Sequence, residues 1–237
     1  MKSSPIFLRE FTESVVFNQN IDMLLDCVET SMDLILNDDS LFGNLPFIRS
    51  IRLLGRAGIS IQRGFEIKNQ LVFLQGIQKG KLELEGLAKR QEAFQNDETW
   101  VFREVERLCV YLSRNTDVRK AKIQAALYLD YVSHKVDENE FCEYLDIIDQ
   151  LLLSDIPHLL DLFDYQEEHN ITEKTLLENR AMFNFTFNLP RCNRLSGLGL
   201  LLRVREFSFA VSAKESFILS DTGTYIAKLV RSLPETV

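Results

Sequence analysis

Three successive segments in the middle of the chain place apolar residues at the spacing of an α-helix. The first begins at Asp97, its expected N-cap, and has an apolar face made of Val101, Val105, Leu108 and Leu112. The second follows from Thr116, with its face at Ile123, Leu127 and Tyr131, and the third begins at Asp137. Helical spacing repeated three times across short polar gaps predicts antiparallel neighbouring helices, and this constrains the fold more than any other feature.

A fourth helix is expected after Ser154, a candidate N-cap, with Pro157 in the first turn, where a missing N–H costs little. The chain has only five prolines and ten glycines in 237 residues, but seventeen phenylalanines. Few helix breakers and many large apolar side chains favour long helices over a β-sandwich. We therefore predict a mainly α-helical protein, with a multi-helix bundle over residues 41–170.

The first 40 residues are predicted to form one or two acidic amphipathic helices. Apolar residues recur there at helical spacing between Ser4 and Leu36, and residues 1–39 carry eight acidic and two basic side chains. The segment Asn37–Pro46 is rich in Asn, Asp, Gly and Pro, which predicts a loop. This loop separates the N-terminal helices from the bundle.

Residues 47–78 are predicted to form one long helix with a basic face. On a helical wheel the arginines lie within an arc of about 60°, and Phe47, Phe65 and Val72 are among the apolar residues opposite them. The arginines of this face are Arg49, Arg52, Arg56 and Arg63. Residues 40–80 carry six basic and one acidic side chain, although the whole chain has a net charge of −8.

Three interpretations of this arginine face compete. A transmembrane span is excluded, because it needs about 20 apolar residues without regular charges. Peripheral contact with an anionic membrane is physically allowed, since it requires only an amphipathic helix with basic groups on one face. Pairing of the arginines with the protein's own acidic surface explains why basic and acidic blocks coexist in one chain, and we favour it.

Glu66 and Lys68 support a different interpretation of the same stretch, as two β-strands. Metal-dependent nucleases place a Glu-x-Lys pair on a core strand, where both side chains act on one metal-bound water. An upstream aspartate is also needed, and the nearest ones, Asp38 and Asp39, lie in the predicted loop. The helical wheel accounts for more residues, so we expect a helix there and no catalytic residue.

The cysteines favour reduced thiols over a disulfide scaffold or a zinc ribbon. They are far apart and form no C-x-x-C pair, and the first residues lack the apolar core of a signal peptide. The four are Cys27, Cys109, Cys142 and Cys192. This pattern is typical of a cytosolic protein.

The histidines do not predict a metal site. His134, His158 and His169 are widely spaced, and although Asp161 and Asp164 follow His158 at three-residue intervals, a solvated acidic helix face explains that spacing. No phosphate-binding loop, dinucleotide-binding phrase or serine nucleophile phrase is present. We therefore expect no metal, no cofactor and no enzymatic activity.

Residues 171–237 are expected to form a smaller module that contains strands. A short helix starting at Pro190 precedes two alternating strands, Phe207–Val211 and Phe217–Leu219, with a turn near Ala213–Glu215. Ser220 or Asp221 is then the expected N-cap of a final helix.

Two phrases in this module, RLSGLGLL at Arg194–Leu201 and LSDTGTYI at Leu219–Ile226, resemble the C-terminal half of a winged-helix domain. In that family a recognition helix ends in R-L-x-x-x-G-L-L, a β-hairpin wing follows, and L-T-x-x-G opens the closing helix. Ser220 stands in place of the usual threonine. The resemblance implies a winged-helix-like module, and such modules bind DNA or proteins.

If this module binds DNA, the resemblance places its contacts on the recognition helix and the wing. The candidate residues are Arg191, Arg194, Arg203, Arg205 and Lys214. The first two would approach a groove, while the wing residues would touch phosphates. Many winged-helix domains bind only proteins, and that alternative stays open.

Residues 45–160 also resemble an uncharacterised family of bacterial helical proteins. The shared features are an apolar helix after Leu45–Pro46, a following helical pair and a helix containing Glu140–Phe141. This resemblance implies a bacterial cytosolic protein and suggests a toxin–immunity or anti-phage system as its setting. We expect a non-enzymatic regulatory protein that acts through protein contacts or self-association. A DNA-binding regulator and a membrane-active effector using residues 47–78 are the alternatives.

Overall fold

The computed structural model describes residues 5–17, 61–80, 85–171, 186–205 and 215–233. These residues are mainly helical, with one small two-stranded sheet, as the sequence predicts. The chain divides into two compact units, Met1–Asp149 and Gln150–Val237, which we call the helical unit and the C-terminal unit. Among the described helices, none combines the length and the apolar character that crossing a membrane requires.

The described part of the helical unit contains six α-helices. They are α1 (Pro5–Phe17), α2 (Ile61–Lys79), α3 (Glu85–Gln95), α4 (Thr99–Arg114), α5 (Val118–Val132) and α6 (Glu138–Gln150). The last three are the helices expected from the repeated apolar spacing. The predicted face of α4 is confirmed, because Val101, Val105, Leu108 and Leu112 are all fully buried. That of α5 is confirmed at Ile123 and Leu127, which are fully buried, whereas Tyr131 is only partly buried.

Helix α5 runs antiparallel to α4 and to α6, as the short loops predict. Near the end of α5, the Tyr131 ring stacks on Phe141 near the start of α6, with 4.4 Å between ring centroids. Helices α4 and α6 are therefore parallel, and polar contacts join them between residues 35 positions apart. These contacts link Arg107 to Cys142, Tyr111 to Asp146 and Arg114 to Asp149.

Helix α2 lies at the centre of the helical unit rather than on its surface. Six consecutive residues, 69–74, are each 1% exposed or less, because α1, α4 and α5 all pack against this helix. A helix buried on every side shows no separation into polar and apolar faces. Phe65, which the wheel placed opposite the arginines, is 48% exposed. The expected two-faced pattern therefore does not extend through this half of the 47–78 segment.

A buried ion pair joins α3 to α4 in the core of the helical unit. Arg90 donates through Nε and Nη2 to the two carboxylate oxygens of Glu104, at 2.7 and 2.8 Å. The Tyr128 hydroxyl donates to the same carboxylate at 2.9 Å, and the guanidinium lies 4.9 Å from the ring centroid of Tyr131. Each charge thus has a partner inside the core, which is the condition for burying it.

A second buried polar cluster, made of amides, is less completely paired. Asn69 on α2 donates to the backbone oxygens of Leu112 and Asn115, at 3.1 and 2.7 Å, and Asn115 donates to Gln124 at 2.8 Å. Gln70 is fully buried, and neither atom of its amide has a hydrogen-bond partner among the described residues. Asn69 is therefore paired through its nitrogen only, since its Oδ1 also lacks a partner among the described residues, whereas the Gln70 amide is unpaired at both atoms.

The described part of the C-terminal unit consists of helices around a β-hairpin. A 3-10 helix (Leu153–Asp155) leads into α7 (Ile156–Glu168), and α8 (Leu189–Gly197), β1 (Leu201–Arg205), β2 (Glu215–Leu219) and α9 (Asp221–Arg231) follow. The strands are antiparallel, with Leu201 opposite Leu219 and Arg205 opposite Glu215. The first strand begins at Leu201, earlier than the expected Phe207, and residues 206–214 lie outside the described part of the chain.

The helix ends follow the sequence predictions in part. Asp137 and Glu140 cap α6 reciprocally, each side chain accepting the other residue's backbone N–H at 2.9 and 2.8 Å. Ser220 caps α9 and Pro157 lies in the first turn of α7, both as expected. The expected caps Asp97 and Ser154 are wrong, because α4 begins after Glu98 and α7 begins after Asp155.

Candidate interaction site in the C-terminal unit

Several of the candidate basic residues lie beyond what the structure describes. Arg49, Arg52, Arg56 and Lys214 are outside the described residues, and Arg63 and Arg205 are described only in their backbone. The alternatives for the arginine face of residues 47–78, membrane contact and pairing with an acidic surface, therefore stay predictions. The remaining candidates, Arg191, Arg194 and Arg203, all belong to α8 and β1.

Arg191 and Arg194 converge on one buried carboxylate, that of Asp155. Arg194 donates through Nε and Nη2 to both Asp155 oxygens, at 2.8 and 2.7 Å, and Arg191 Nε lies 3.7 Å from the same group. The Asp155 side chain is 1% exposed, whereas those of Arg191 and Arg194 are 37% and 45% exposed. The carboxylate raises the pKa of the Arg194 guanidinium, which stays cationic.

Arg203 extends this basic region from α8 onto β1. Its guanidinium donates to the Asn193 side-chain oxygen on α8 and lies over the Phe217 ring, 5.4 Å from the centroid. Phe217 is the residue opposite Arg203 across the hairpin, so the strand register places the ring under the cation. We call Arg191, Arg194 and Arg203 the basic face.

A histidine–cysteine contact lies behind the basic face. His158 Nε2 is 3.3 Å from Cys192 Sγ, and both residues are buried. Burial, with the nearby Arg191 charge, lowers the pKa of His158, and burial raises the pKa of Cys192 to about 11. Both groups are therefore neutral at pH 7, so this pair is not an activated thiolate nucleophile. Nothing in the sequence spacing of these two residues indicated the contact.

The other thiols of the described chain are also poor nucleophiles. Burial raises the pKa of Cys109, and it raises that of Cys142 despite the Arg107 guanidinium nearby. The described residues bring together no group of three or more metal-ligating side chains. The Glu66 and Lys68 pair lies on a helix, where residues two apart point about 200° from each other. The β-strand interpretation of that pair is therefore wrong.

A cleft of about 620 Å³ lies within the C-terminal unit, between the end of α7, the hairpin and the start of α9. Phe163, Leu202 and Ile218 supply apolar wall, and Gln166, Glu167 and Asp221 are among its polar residues. Leu202 is 45% exposed there, so part of the apolar wall is open to solvent.

Gln166 forms a hydrogen bond with the edge strand of the hairpin and also lines the cleft. Its Oε1 accepts the backbone N–H of Leu219 at 2.9 Å, in the place where a third strand would bond. The residue is 9% exposed, and among the described residues no hydrogen-bond partner of its Nε2 is seen. This nitrogen is not among the fully enclosed polar atoms without a partner, so it is open to an acceptor that enters the cleft.

The start of α9 is fixed by a close approach that only glycine allows. Ser220 Oγ accepts the Gly223 backbone N–H at 2.9 Å, which caps the helix beside the cleft. A Cβ on Gly223 would lie 1.9 Å from the Leu200 backbone oxygen. The L-S-D-T-G phrase therefore reflects packing of α9 against the chain just before β1, and this packing positions Asp221 at the rim of the cleft.

Comparison with known proteins does not place the chain in a family. No protein-family model matches it, and neither a curated protein nor a solved structure matches it.

Proposed function

We propose that this chain is a non-enzymatic regulatory protein that works by binding another protein, with its basic face as the docking surface for an acidic partner. The observation that carries the proposal is that the buried Asp155 forms ion pairs with both Arg191 and Arg194. Two hydrogen bonds to Asp155 hold Arg194, and Arg191 lies within ion-pair distance of the same carboxylate, while the outer parts of both arginines stay exposed. Because they are already ordered, less side-chain entropy is lost when a partner binds.

An exposed leucine on the same helix as Arg191 and Arg194 favours a protein partner over DNA. Leu189 opens α8 and is 48% exposed, one helical turn before the Asn193 that contacts Arg203. Protein interfaces combine arginine with apolar side chains, whereas DNA interfaces are more polar and more strongly basic. The bacterial cytosolic setting belongs to the same proposal and rests on the family resemblance of residues 45–160 and on the free Cys109, Cys142 and Cys192.

The proposal is tested by affinity capture from the source organism with the parent chain and with Arg191→Glu plus Arg194→Glu. We expect the double variant to lose its main partner, because an acidic partner surface then meets two carboxylates. The control is Lys228→Glu plus Arg103→Glu, an equal charge change at exposed positions outside the basic face. Equal loss in the two double variants would contradict the proposal, since the effect would then follow total charge.

A winged-helix-like DNA-binding regulator is the second candidate. It is supported by the chain order of α8, hairpin and α9, by the Ser220 cap, and by three arginines on the helix and first strand. The test is fluorescence anisotropy of duplex DNA over a range of salt concentrations. A DNA-binding regulator predicts affinity that falls steeply with salt and is lost in the Arg191→Glu plus Arg194→Glu variant. Binding that the variant leaves unchanged would exclude this candidate.

A further inference from the structure

We propose that the cleft between α7, the hairpin and α9 binds a short segment of a partner protein in which a lysine or arginine stands next to an aliphatic residue. This inference rests on the proposed protein-binding function, and it assigns a second docking site that is distinct from the basic face. Three independent properties of the cleft determine the chemistry of the segment.

The first property is unbalanced negative charge at the rim. Glu167 and Asp221 both line the cleft, and within the part of the chain that the structure describes neither has an ion-pair partner. Asp164, three residues before Glu167 on the same helix, is by contrast paired with Arg231 at 2.9 Å. Among the described residues that line the cleft, none is a lysine or an arginine. A cationic side chain from a partner would complement the two carboxylates.

The second property is the open apolar wall. Leu202 is 45% exposed although its neighbours in the cleft, Phe163 and Ile218, are more covered. An aliphatic side chain that covers Leu202 would remove apolar surface of both residues from water, which favours binding. The wall and the carboxylates border the same cleft, so one short segment with adjacent apolar and basic residues can reach both.

The third property is the unused donor of Gln166. This residue is 9% exposed and lines the cleft, its oxygen accepts from Leu219, and no described residue accepts from its amide nitrogen. A peptide backbone carries a carbonyl acceptor at every residue. Any residue of a bound polypeptide can therefore accept a hydrogen bond from the Gln166 nitrogen through its carbonyl oxygen. A simple protonated amine has no acceptor for this donor.

The probe is a random heptapeptide library displayed on phage, selected against the full-length chain. We expect selected peptides to carry a lysine or arginine beside an aliphatic residue. A selected peptide, synthesised and titrated by calorimetry, should bind about tenfold more weakly to Leu202→Ser and to Glu167→Gln plus Asp221→Asn. Asp161→Asn is the matched control, because this exposed carboxylate of α7 does not line the cleft, and it should bind as the parent does.

The outcomes separate this inference from the proposed function. Peptides without a basic residue, peptides that bind Leu202→Ser as tightly as the parent, or a selection that yields no binder would each overturn the cleft assignment. The Arg191→Glu plus Arg194→Glu variant should keep the peptide, because neither residue lines the cleft. If the partner is captured through the basic face and no peptide is selected, the cleft inference fails alone. If peptides are selected as expected while capture is insensitive to the arginines, the basic-face proposal fails alone.

Discussion

The two units each contain a bidentate arginine–carboxylate pair, and the pairs differ in which partner reaches solvent. In the helical unit, the side chains of Arg90 and Glu104 are 5% and 8% exposed. In the C-terminal unit, Asp155 is 1% exposed but Arg194 is 45% exposed. The hydrogen-bond geometry is nearly the same, with donor–acceptor distances of 2.7 and 2.8 Å in both. Bidentate geometry therefore does not distinguish a pair that is enclosed in the core from a pair whose arginine reaches solvent. The exposed fraction of the arginine side chain does distinguish them.

The difference in exposure predicts a difference in what each pair does. When both side chains of a pair are buried, the arginine cannot contact a group outside the core. Removing that arginine leaves the carboxylate charge buried and unpaired in a low-dielectric environment. When only the carboxylate is buried, it orients an arginine at the surface, and an anionic group of another molecule can then bind that arginine. The following variants test that distinction, from the largest expected effect to the smallest.

Replacing Arg90 with methionine should destabilise the helical unit by about 3–5 kcal/mol, because Glu104 would remain buried without its cation. Urea unfolding followed by circular dichroism measures the loss. Arg103→Met, on the exposed face of α4, is the control and should change little. A small loss in Arg90→Met would show that this pair is as open as the one at Asp155.

Replacing Arg194 with methionine should cost the C-terminal unit less stability than Arg90→Met costs the helical unit, because the buried Asp155 acceptor loses two donors but keeps Arg191 nearby. The same urea titration applies. Arg231→Met breaks the exposed pair with Asp164 and should cost only about 0.2–1 kcal/mol. If the Arg194 and Arg231 variants lost equal stability, the buried carboxylate would not be anchoring the basic face.

Replacing Gln70 with leucine should raise the stability of the helical unit by about 1 kcal/mol, because an unpaired buried amide gives way to an apolar group of similar size. Asn69→Leu, at the adjacent position, should lower stability by a similar amount, since it removes donors from the carbonyl oxygens of Leu112 and Asn115. Opposite signs in the same unfolding assay are the expected result. A loss in both variants would mean that Gln70 also stabilises the core.

Lowering the pH should weaken the C-terminal unit by a small amount through His158. Burial, with the Arg191 charge nearby, lowers the pKa of this histidine from its ordinary value of 6.5, so the folded unit binds its proton less readily than the unfolded chain does. The stability contributed by the neutral ring is complete above about pH 6.5 and is lost as the pH falls from there through the lower folded pKa. His158→Gln should flatten this part of the stability profile. An unchanged slope would assign the effect to another group.

The sequence predicts most of the helices because their signals are local. The apolar spacing of Val101, Val105, Leu108 and Leu112 required no knowledge of the partner surface. The reciprocal capping of Asp137 and Glu140 is equally local. The exposure of Phe65 was not predictable in this way, because it depends on how α1, α4 and α5 surround the central helix.

The candidate site was predicted only in part. The sequence indicated Arg191, Arg194 and Arg203 as a basic group, but their orientation depends on Asp155, which is 39 positions from Arg194. The His158–Cys192 contact spans 34 positions and has no motif. The cleft depends on the packing of three elements that meet only after folding. Contacts between residues so far apart in the sequence produce no local sequence pattern from which they could be predicted.

The paired residues of α4 and α6 are all separated by 35 positions. The packing of these two helices should therefore be disturbed more by a deletion within one of them than by a single substitution. Arg107, Tyr111 and Arg114 meet partners at the same offset, so deleting one residue within α6 would turn the rest of that helix by about 100° and misplace the partners beyond the deletion together. A substitution at any one of them removes a single contact. Among relatives of this protein, the loops around α5 should therefore vary in length more freely than the helices that they connect.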